Sequence, residues 1–273
     1  MITSPVNDRV RLIRQLQDQR KIRLRQGRFV VEGVRLVEEA VAAGMQPDFV
    51  LYSETQGAAD DRLAQLLARL EPMSGPILSA TDAVIATCSD TETPQGIVAV
   101  VPLPDWPRPL GPTTSLVVDR LRDPGNLGTI LRTALAAGID QVWLAPGTVD
   151  PTNPKVVRAA MGAHFRLPLY TATWTEIAAA LAGAPAWLAE VGTGQPYWSV
   201  DWRSPVALII GGEAEGASPE AHQLATGQVT IPMPGGSESL NAAVASGILL
   251  FEIVRQRAGE DKKTRRQGDK GTR

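Results

Sequence analysis

The feature that most constrains this chain is a series of short apolar runs in its second half, each paired with a helical pattern. Leu116-Val117-Val118 and Val206-Ala207-Leu208-Ile209-Ile210 are apolar at every position. Strands of that kind are covered by helices on both faces and have no wet side. Around them the periodicity predicts a helix over 124–137, a strand at 141–144, a helix over 154–162 and a strand at 167–170. A helix over 175–181 and a strand at 187–191 follow, and after 206–210 come a short helix from Ser218-Pro219-Glu220, a strand at 229–231 and a long helix over 239–257. Asp123 is expected to cap the helix that begins at Pro124, and Gly138 to close it. Alternation of this type gives a parallel α/β sheet.

The first hundred residues predict a smaller α/β unit. A helix over 8–26 is stopped by Gly27; a strand at 28–31, a helix over 32–43 ending at Gly44, and a strand at 49–52 come next. A helix over 59–70, a short strand near 77–78 and a strand at 96–101 complete it. Pro102, Pro104, Pro107, Pro109 and Pro112 then exclude a helix or a central strand, so 102–112 reads as a semi-rigid linker. The expected domains are therefore 1–101 and 113–257. The tail 258–273 lacks apolar periodicity and is expected to be disordered.

Charge is distributed unevenly between these parts. Residues 9–35 hold nine basic side chains against two acidic ones, and 255–273 hold eight against three, within a chain whose formal net charge is only −2. A basic entry segment on an acidic body has two readings, a solvated helix face or a surface that neutralises phosphates. No apolar run reaches the 18 or so residues of a membrane span. The N-terminus lacks the apolar core of a secretory signal. Cys88 is the only cysteine and the histidines are His164 and His222, far apart, so neither an internal disulfide nor a metal site is expected. A reducing cytoplasm is the expected location.

Three short motifs carry chemistry. The first, Asp119-Arg120-Leu121-Arg122-Asp123-Pro124-Gly125-Asn126-Leu127-Gly128-Thr129-Ile130-Leu131-Arg132, lies at the carboxyl end of a strand, where parallel sheets hold ligands. Read alone, Asn126 fits a turn or cap residue equally well, and Arg132 a surface ion pair. The second, Gly211-Gly212-Glu213-Ala214-Glu215-Gly216, ends an apolar strand with bare backbone, against which an adenine-like ring can lie. Its two glutamates disfavour a phosphate there, and no GxxxxGK[ST] loop occurs. Gly192-Thr193-Gly194-Gln195-Pro196-Tyr197 mimics a dinucleotide fingerprint, but Pro196 and Tyr197 break the pattern and it reads as a loop. The third motif, Ile231-Pro232-Met233-Pro234 followed by Ser239-Leu240-Asn241, leads into a helix whose first turns are small residues.

Together, in this order and spacing, the three motifs resemble the SpoU (TrmH) family of RNA 2′-O-ribose methyltransferases in the SPOUT superfamily. Residues 113–257 match that catalytic domain. Arg28-Phe29-Val30-Val31-Glu32-Gly33 and Thr93-Pro94-Gln95-Gly96 resemble the family's N-terminal RNA-substrate-binding domain, which is like certain ribosomal proteins. The resemblance implies a SPOUT-type parallel sheet with a deep C-terminal trefoil knot, a bent S-adenosylmethionine held in that knot, and a homodimer that completes the site. It implies that Gly211, Gly216, Ile231, Met233 and Leu240 contact the methyl donor. Asn126, Arg132, Glu213, Ser239 and Asn241 match the polar set around the reacting centre. Gly212, Ala214 and Ala242-Ala243 depart from the commonest family residues but conserve size.

The family usually assigns activation of the hydroxyl to the arginine that Arg132 matches, yet a guanidinium is essentially never deprotonated. Arg132 is therefore expected to anchor the adjacent phosphate and stabilise the developing alkoxide, the proton leaving through phosphate, water or Glu213. Arg9, Arg20, Arg23, Arg25, Arg28 and Arg122 are the expected RNA contacts. The two-domain layout favours 23S ribosomal RNA as substrate; transfer RNA methylation and a non-catalytic ribosome-assembly relative are the alternatives.

Overall fold

The computed structural model describes residues 1–268 apart from Ser74, Glu92, Pro109, Leu110, Pro112, Ala182 and Ala214, with side chains described as far as Ala258. Expectations that fall on Pro109, Pro112, Ala214 and 269–273 lie outside the described residues. The chain forms two compact units, 1–105 with 150–166 and 106–149 with 167–273. No helix among the described residues is long and apolar enough to cross a membrane.

The first unit begins with α1 (Asp8–Asp18) and α2 (Arg20–Gln26), then β1 (Arg28–Glu32), α3 (Val34–Ala42) and β2 (Phe49–Ser53). The elements α4 (Glu54–Ala59), α5 (Asp61–Leu70), β3 (Ile77–Ala80), α6 (Asp82–Thr87) and β4 (Ile97–Pro102) complete it. Its four strands lie in the order β1-β4-β2-β3, with β4 antiparallel to both neighbours and β2 parallel to β3. The two-residue period of a strand sorts the core onto two faces. Phe29, Val31, Val50, Ile97, Ala99 and Val101 pack with α3 and α5 on one face. Val30, Phe49, Leu51, Val98 and Val100 pack with α1 and α6 on the other.

The predicted single helix over 8–26 is two helices that break at Gln19, whose φ is −121°. Arg23 explains the break. Its Nη1 donates to the Leu16 and Gln17 carbonyls at 2.6 and 2.9 Å, satisfying the end of α1 that a continuous helix would have used internally. Gly27 stops α2 in the left-handed region, φ 62°, as expected. The sequence missed α6, a single apolar helix of six residues.

In the second unit β5 (Ser115–Val118), α7 (Pro124–Ala136) and β6 (Gln141–Leu144) lead off. Between β6 and β7 the chain runs through 150–166, which belongs to the first unit although it lies within the 113–257 stretch. There α8 (Pro154–Ala160) adds Val157, and the turn after it adds Phe165, to the core around Phe29. β7 (Leu169–Thr171), α9 (Trp174–Leu181), β8 (Ala186–Ala189), β9 (Gln195–Pro196), β10 (Ala207–Ile210), α10 (Pro219–Leu224), β11 (Gly227–Thr230) and α11 (Ala242–Gly268) complete the chain. Seven parallel strands lie in the order β7-β6-β5-β10-β8-β11-β9. β5, β6 and β10 are buried along their whole length, which is why their sequences are apolar but for Ser115 and Gln141, which hydrogen-bond each other at 2.8 Å. Asp123 caps α7 by accepting from the Asn126 amide at 2.7 Å, with Pro124 opening the helix. α11 runs on to Gly268, past the 257 at which the apolar periodicity ends. Lys, Arg, Glu and Gln in that stretch are good helix formers and extend a helix that is already nucleated.

His164 gives the first unit a pH dependence. It is buried, with Nε2 2.7 Å from the Pro151 carbonyl oxygen. Burial pushes its pKa down to about 4; the carbonyl and the Asp150 charge oppose this without reversing it. The imidazole is thus neutral in the folded chain, donating Nε2–H. Below the ordinary value of about 6.5 the unfolded chain binds a proton that the folded one refuses, so stability falls from pH 6.5 towards 4. The expected loss is roughly 3 kcal/mol. Urea unfolding at pH 7.5 and 4.5 checks it: His164→Gln should show a smaller difference than the parent chain.

Candidate active site

The carboxyl ends of β8, β10 and β11 and the first turns of α11 enclose a cavity of about 400 Å³. A crevice at the carboxyl ends of parallel strands is where such sheets place their ligands. The five residues expected to contact the donor, Gly211, Gly216, Ile231, Met233 and Leu240, all line it, as do Glu213, Ser239 and Asn241. Two glycines are required by the geometry. A Cβ on Gly212 would stand 2.5 Å from the carbonyl oxygen of Arg120, and Gly216 turns the loop with φ 64°.

At the mouth of the cavity the three motifs meet through one chain of hydrogen bonds. The Asn126 Nδ2 donates to Glu213 Oε1 at 2.7 Å, and the Asn241 Nδ2 donates to Asn126 Oδ1 at 3.0 Å. Asn241 Oδ1 in turn accepts from the Ala243 amide at 2.9 Å, at the start of α11. A carboxylate only accepts, so Glu213 fixes which way Asn126 faces, and Asn126 then fixes Asn241. Each residue has a structural job as well as a place at the site.

A second set of contacts joins the first two motifs. Asp119, fully buried at the end of β5, accepts from the Ser218 amide at 2.6 Å. Arg120 has a left-handed φ of 52°, which few non-glycine residues adopt, and its Nη1 lies 3.3 Å from Glu215. Arg122 Nη2 reaches the same Glu215 at 2.7 Å. Arg122, expected at the RNA, is therefore paired but exposed, and a pair so placed is easily exchanged for a phosphate.

Arg132 stands apart from the Asn126 chain. Six residues along α7 carry it about 120° around the helix from Asn126. It is exposed on a face with Gly125, Thr129 and Ala136, and has no ion-pair or hydrogen-bond partner among the described residues.

Of the other arginines expected at RNA, Arg20 and Arg25 are exposed in the first unit, and Arg9 lies over the Phe49 ring with 5.7 Å to its centroid. Arg28 is half-buried and pairs with Asp48 at 2.9 Å. Arg23 is a correction. It is 3% exposed, and four of its five N–H groups bond Leu16, Gln17, Thr152 and Asp150, so the guanidinium is enclosed away from a phosphate. The spacing of arginines along a helix does not reveal which one turns inward.

Comparison with known proteins bears on this arrangement. The model of the SpoU rRNA Methylase family matches residues 113–251. The chain belongs to the SpoU rRNA methylase family. A second model, the MRM3-like substrate binding domain, matches residues 7–99. Among relatives of this SpoU protein, a tRNA/rRNA methyltransferase of Synechocystis is 36% identical over 93% of both chains. A 23S rRNA guanosine 2′-O-methyltransferase of Bacillus subtilis is 33% identical, over 92% of this chain and 98% of that protein. The structure of an rRNA methyltransferase from Sinorhizobium meliloti with AdoMet bound superposes with a TM-score of 0.82, at 32% identity over 93% of this chain and 97% of that one. The SpoU methyltransferase AviRb of Streptomyces viridochromogenes, also in complex with AdoMet, gives 0.81 at 30% identity, over 92% and 98%.

Sequence reasoning passed over the Asp119–Ser218 tie and the Arg120–Glu215–Arg122 cluster of this SpoU site. It also passed over Glu190, which lines the cavity with its Oε1 3.3 Å from His222 Nε2. A carboxylate at the carboxyl end of an apolar run was the available signal for both Asp119 and Glu190.

Proposed function

We propose that this chain transfers the methyl group of S-adenosylmethionine to a ribose 2′-hydroxyl of ribosomal RNA, with 23S RNA as substrate. The observation that carries the proposal is the Asn241–Asn126–Glu213 chain, which gathers one residue from each motif at the mouth of one cavity. The cavity suits the donor: its volume is in the range of small-ligand sites, and its walls combine bare glycine backbone with the apolar side chains of Ile231, Met233 and Leu240. When bound, the donor supplies a methyl group on a sulfonium sulfur for in-line displacement by the ribose oxygen.

The chain's own residues supply placement and charge. Arg132, without a partner among the described residues and permanently cationic, anchors the phosphate next to the target ribose and stabilises the negative charge that grows on its oxygen. Glu213, held by Asn126, is one exit for the proton, beside water and the phosphate itself. Ser239 lines the cavity close to these groups. The 1–101 domain receives the RNA through Arg9, Arg20, Arg25 and Arg28, and Arg122 joins them once Glu215 releases it. The match of 7–99 to a substrate-binding domain supports this assignment and favours ribosomal over transfer RNA.

The finer architecture belongs to the same proposal. The 231–241 segment and the start of α11 thread a C-terminal trefoil knot, and two copies pack through α11, on which Val244 and Phe251 stand 53% and 49% exposed. An isolated Arg132, away from the Asn126 chain, is what a site completed by a second copy requires. The protein works in the cytoplasm without a metal; Cys88 is buried, and burial pushes its thiol up to about 11, so it takes no part.

Mapping of ribose methylation on ribosomal and transfer RNA, from cells with and without this protein, tests the reading. One 23S position should lose its 2′-O-methyl group in the deletion and regain it with the wild-type gene. A lost transfer RNA position instead would move the substrate, and no lost position would leave the non-catalytic alternative.

A further inference from the structure

Glu190 is the feature of the cavity that the motifs do not explain. It follows β8, and β8 lies between β10 and β11, so Glu190 stands between the Gly211–Gly216 loop and the segment that begins at Ile231. Its backbone is fixed by donation of its N–H to the Val229 carbonyl at 2.9 Å. Among the described residues its side chain has one partner, His222 on α10, with Nε2 3.3 Å from Oε1. The carboxylate is 24% exposed, so it is neither fully solvated nor spent in an internal network.

The charge of the lining is one-sided. Glu190 and Glu213 are its ionisable members, and among the described residues no lysine or arginine lines the cavity. Glu213 is engaged by Asn126. Asn126 is a neutral amide, so Glu213 keeps its charge but is fixed at the mouth, and Glu190 is the second negative charge of the lining. S-adenosylmethionine carries a sulfonium, an ammonium and a carboxylate, a net charge of +1. Its product after transfer, S-adenosylhomocysteine, has lost the sulfonium charge and is neutral overall. The two differ otherwise by one methyl group, which an apolar pocket discriminates weakly.

We infer that Glu190 makes the cavity selective for the cationic donor over the neutral product, attracting the sulfonium form and easing release of the spent one. The inference rests on the methyltransferase reading and adds to it a specificity-determining residue outside the three motifs. The physics is that of a partly buried charge, whose interaction with a ligand cation several ångströms away is weakened by salt but not abolished.

Calorimetric titration of the full chain with each of the two molecules tests it. Glu190→Gln keeps size and removes charge; it should weaken S-adenosylmethionine about tenfold and S-adenosylhomocysteine less than about twofold. Glu190→Asp keeps the charge and should retain most of the preference. In the wild type, raising salt from about 50 to about 500 mM should weaken the donor more than the product, a readout that needs no variant. Equal losses for both molecules in Glu190→Gln would mean that the carboxylate touches a part they share, and would overturn the inference, as would no loss at all. A wild-type chain that bound neither molecule would instead remove the methyltransferase reading beneath it.

Discussion

Arg132→Ala is expected to lower methyl transfer by about 10²–10³-fold while leaving the fold and donor binding intact. The size follows from what the guanidinium is asked to do. Removing one preorganised donor aimed at charge that develops in the transition state costs that much in comparable acyl-transfer sites, about 2.7–4 kcal/mol. The selectivity of the effect follows from the structure. Arg132 is exposed and has no partner among the described residues, so truncation breaks no internal bond and should change stability by less than about 0.5 kcal/mol. It does not line the cavity either, so donor affinity should stay within about twofold of wild type. Single-turnover transfer to a ribosomal RNA fragment, beside calorimetry with S-adenosylmethionine, separates the two quantities. Arg132→Lys distinguishes geometry from charge: a planar fork bonds a phosphate through two parallel contacts, whereas an ammonium is a point charge. Activity near that of alanine would assign a bidentate role, and activity near wild type would assign charge alone. Turnover at the wild-type rate in Arg132→Ala, with RNA still bound, would sink the assignment.

The sheet was legible because burial on both faces leaves an unmistakable trace in strands such as 116–118 and 206–210. The donor cavity was legible for a related reason. Gly211 and Gly216 stand where backbone must turn sharply or approach closely, and the sequence has to record that need. Charged residues were less readable. Nothing in the spacing of Arg20, Arg23 and Arg25 tells that the middle one turns inward, because its partners, Asp150 and Thr152, are more than a hundred residues away. The same holds for the return of 150–166 to the first unit, which depends on Val157 and Phe165 filling space beside Phe29. Long-range pairings of this type leave no local period. The Asn241–Asn126–Glu213 chain is intermediate: each residue reads as an ordinary cap or loop position alone, and only their convergence in space gives them a shared role.

Arg23→Ala is expected to cost about 3–5 kcal/mol of stability, the largest such effect of any arginine in the first unit. Arg23 closes the end of α1, bonds Thr152 Oγ1 at 3.0 Å and pairs with Asp150. Burial alone would raise the Asp150 carboxyl, but hydrogen bonds from Arg23 and Thr152 and the Arg23 charge outweigh it and hold the group below the usual carboxylate range. A lowered pKa means stability that is present above the unfolded value near 3.9 and lost as pH falls through the folded one. Without Arg23 the balance shifts: Asp150, largely buried, keeps its Thr152 hydrogen bonds and the Arg20 guanidinium at 3.9 Å but loses its closest cation, and the unit must carry that charge or take up a proton. Urea unfolding at neutral pH should show the loss, with a fall in Tm on the order of 10 °C. Adding Asp150→Asn to the variant should recover part of it, since the uncompensated charge goes with the carboxylate. RNA affinity gives an independent check at temperatures where the variant is folded. Arg25→Ala, which removes an exposed cation, should reduce the salt dependence of binding by about 0.7–0.9 in slope, whereas Arg23→Ala should leave the slope unchanged. A reduced slope in Arg23→Ala would return that residue to the RNA surface, against the burial that places it inside.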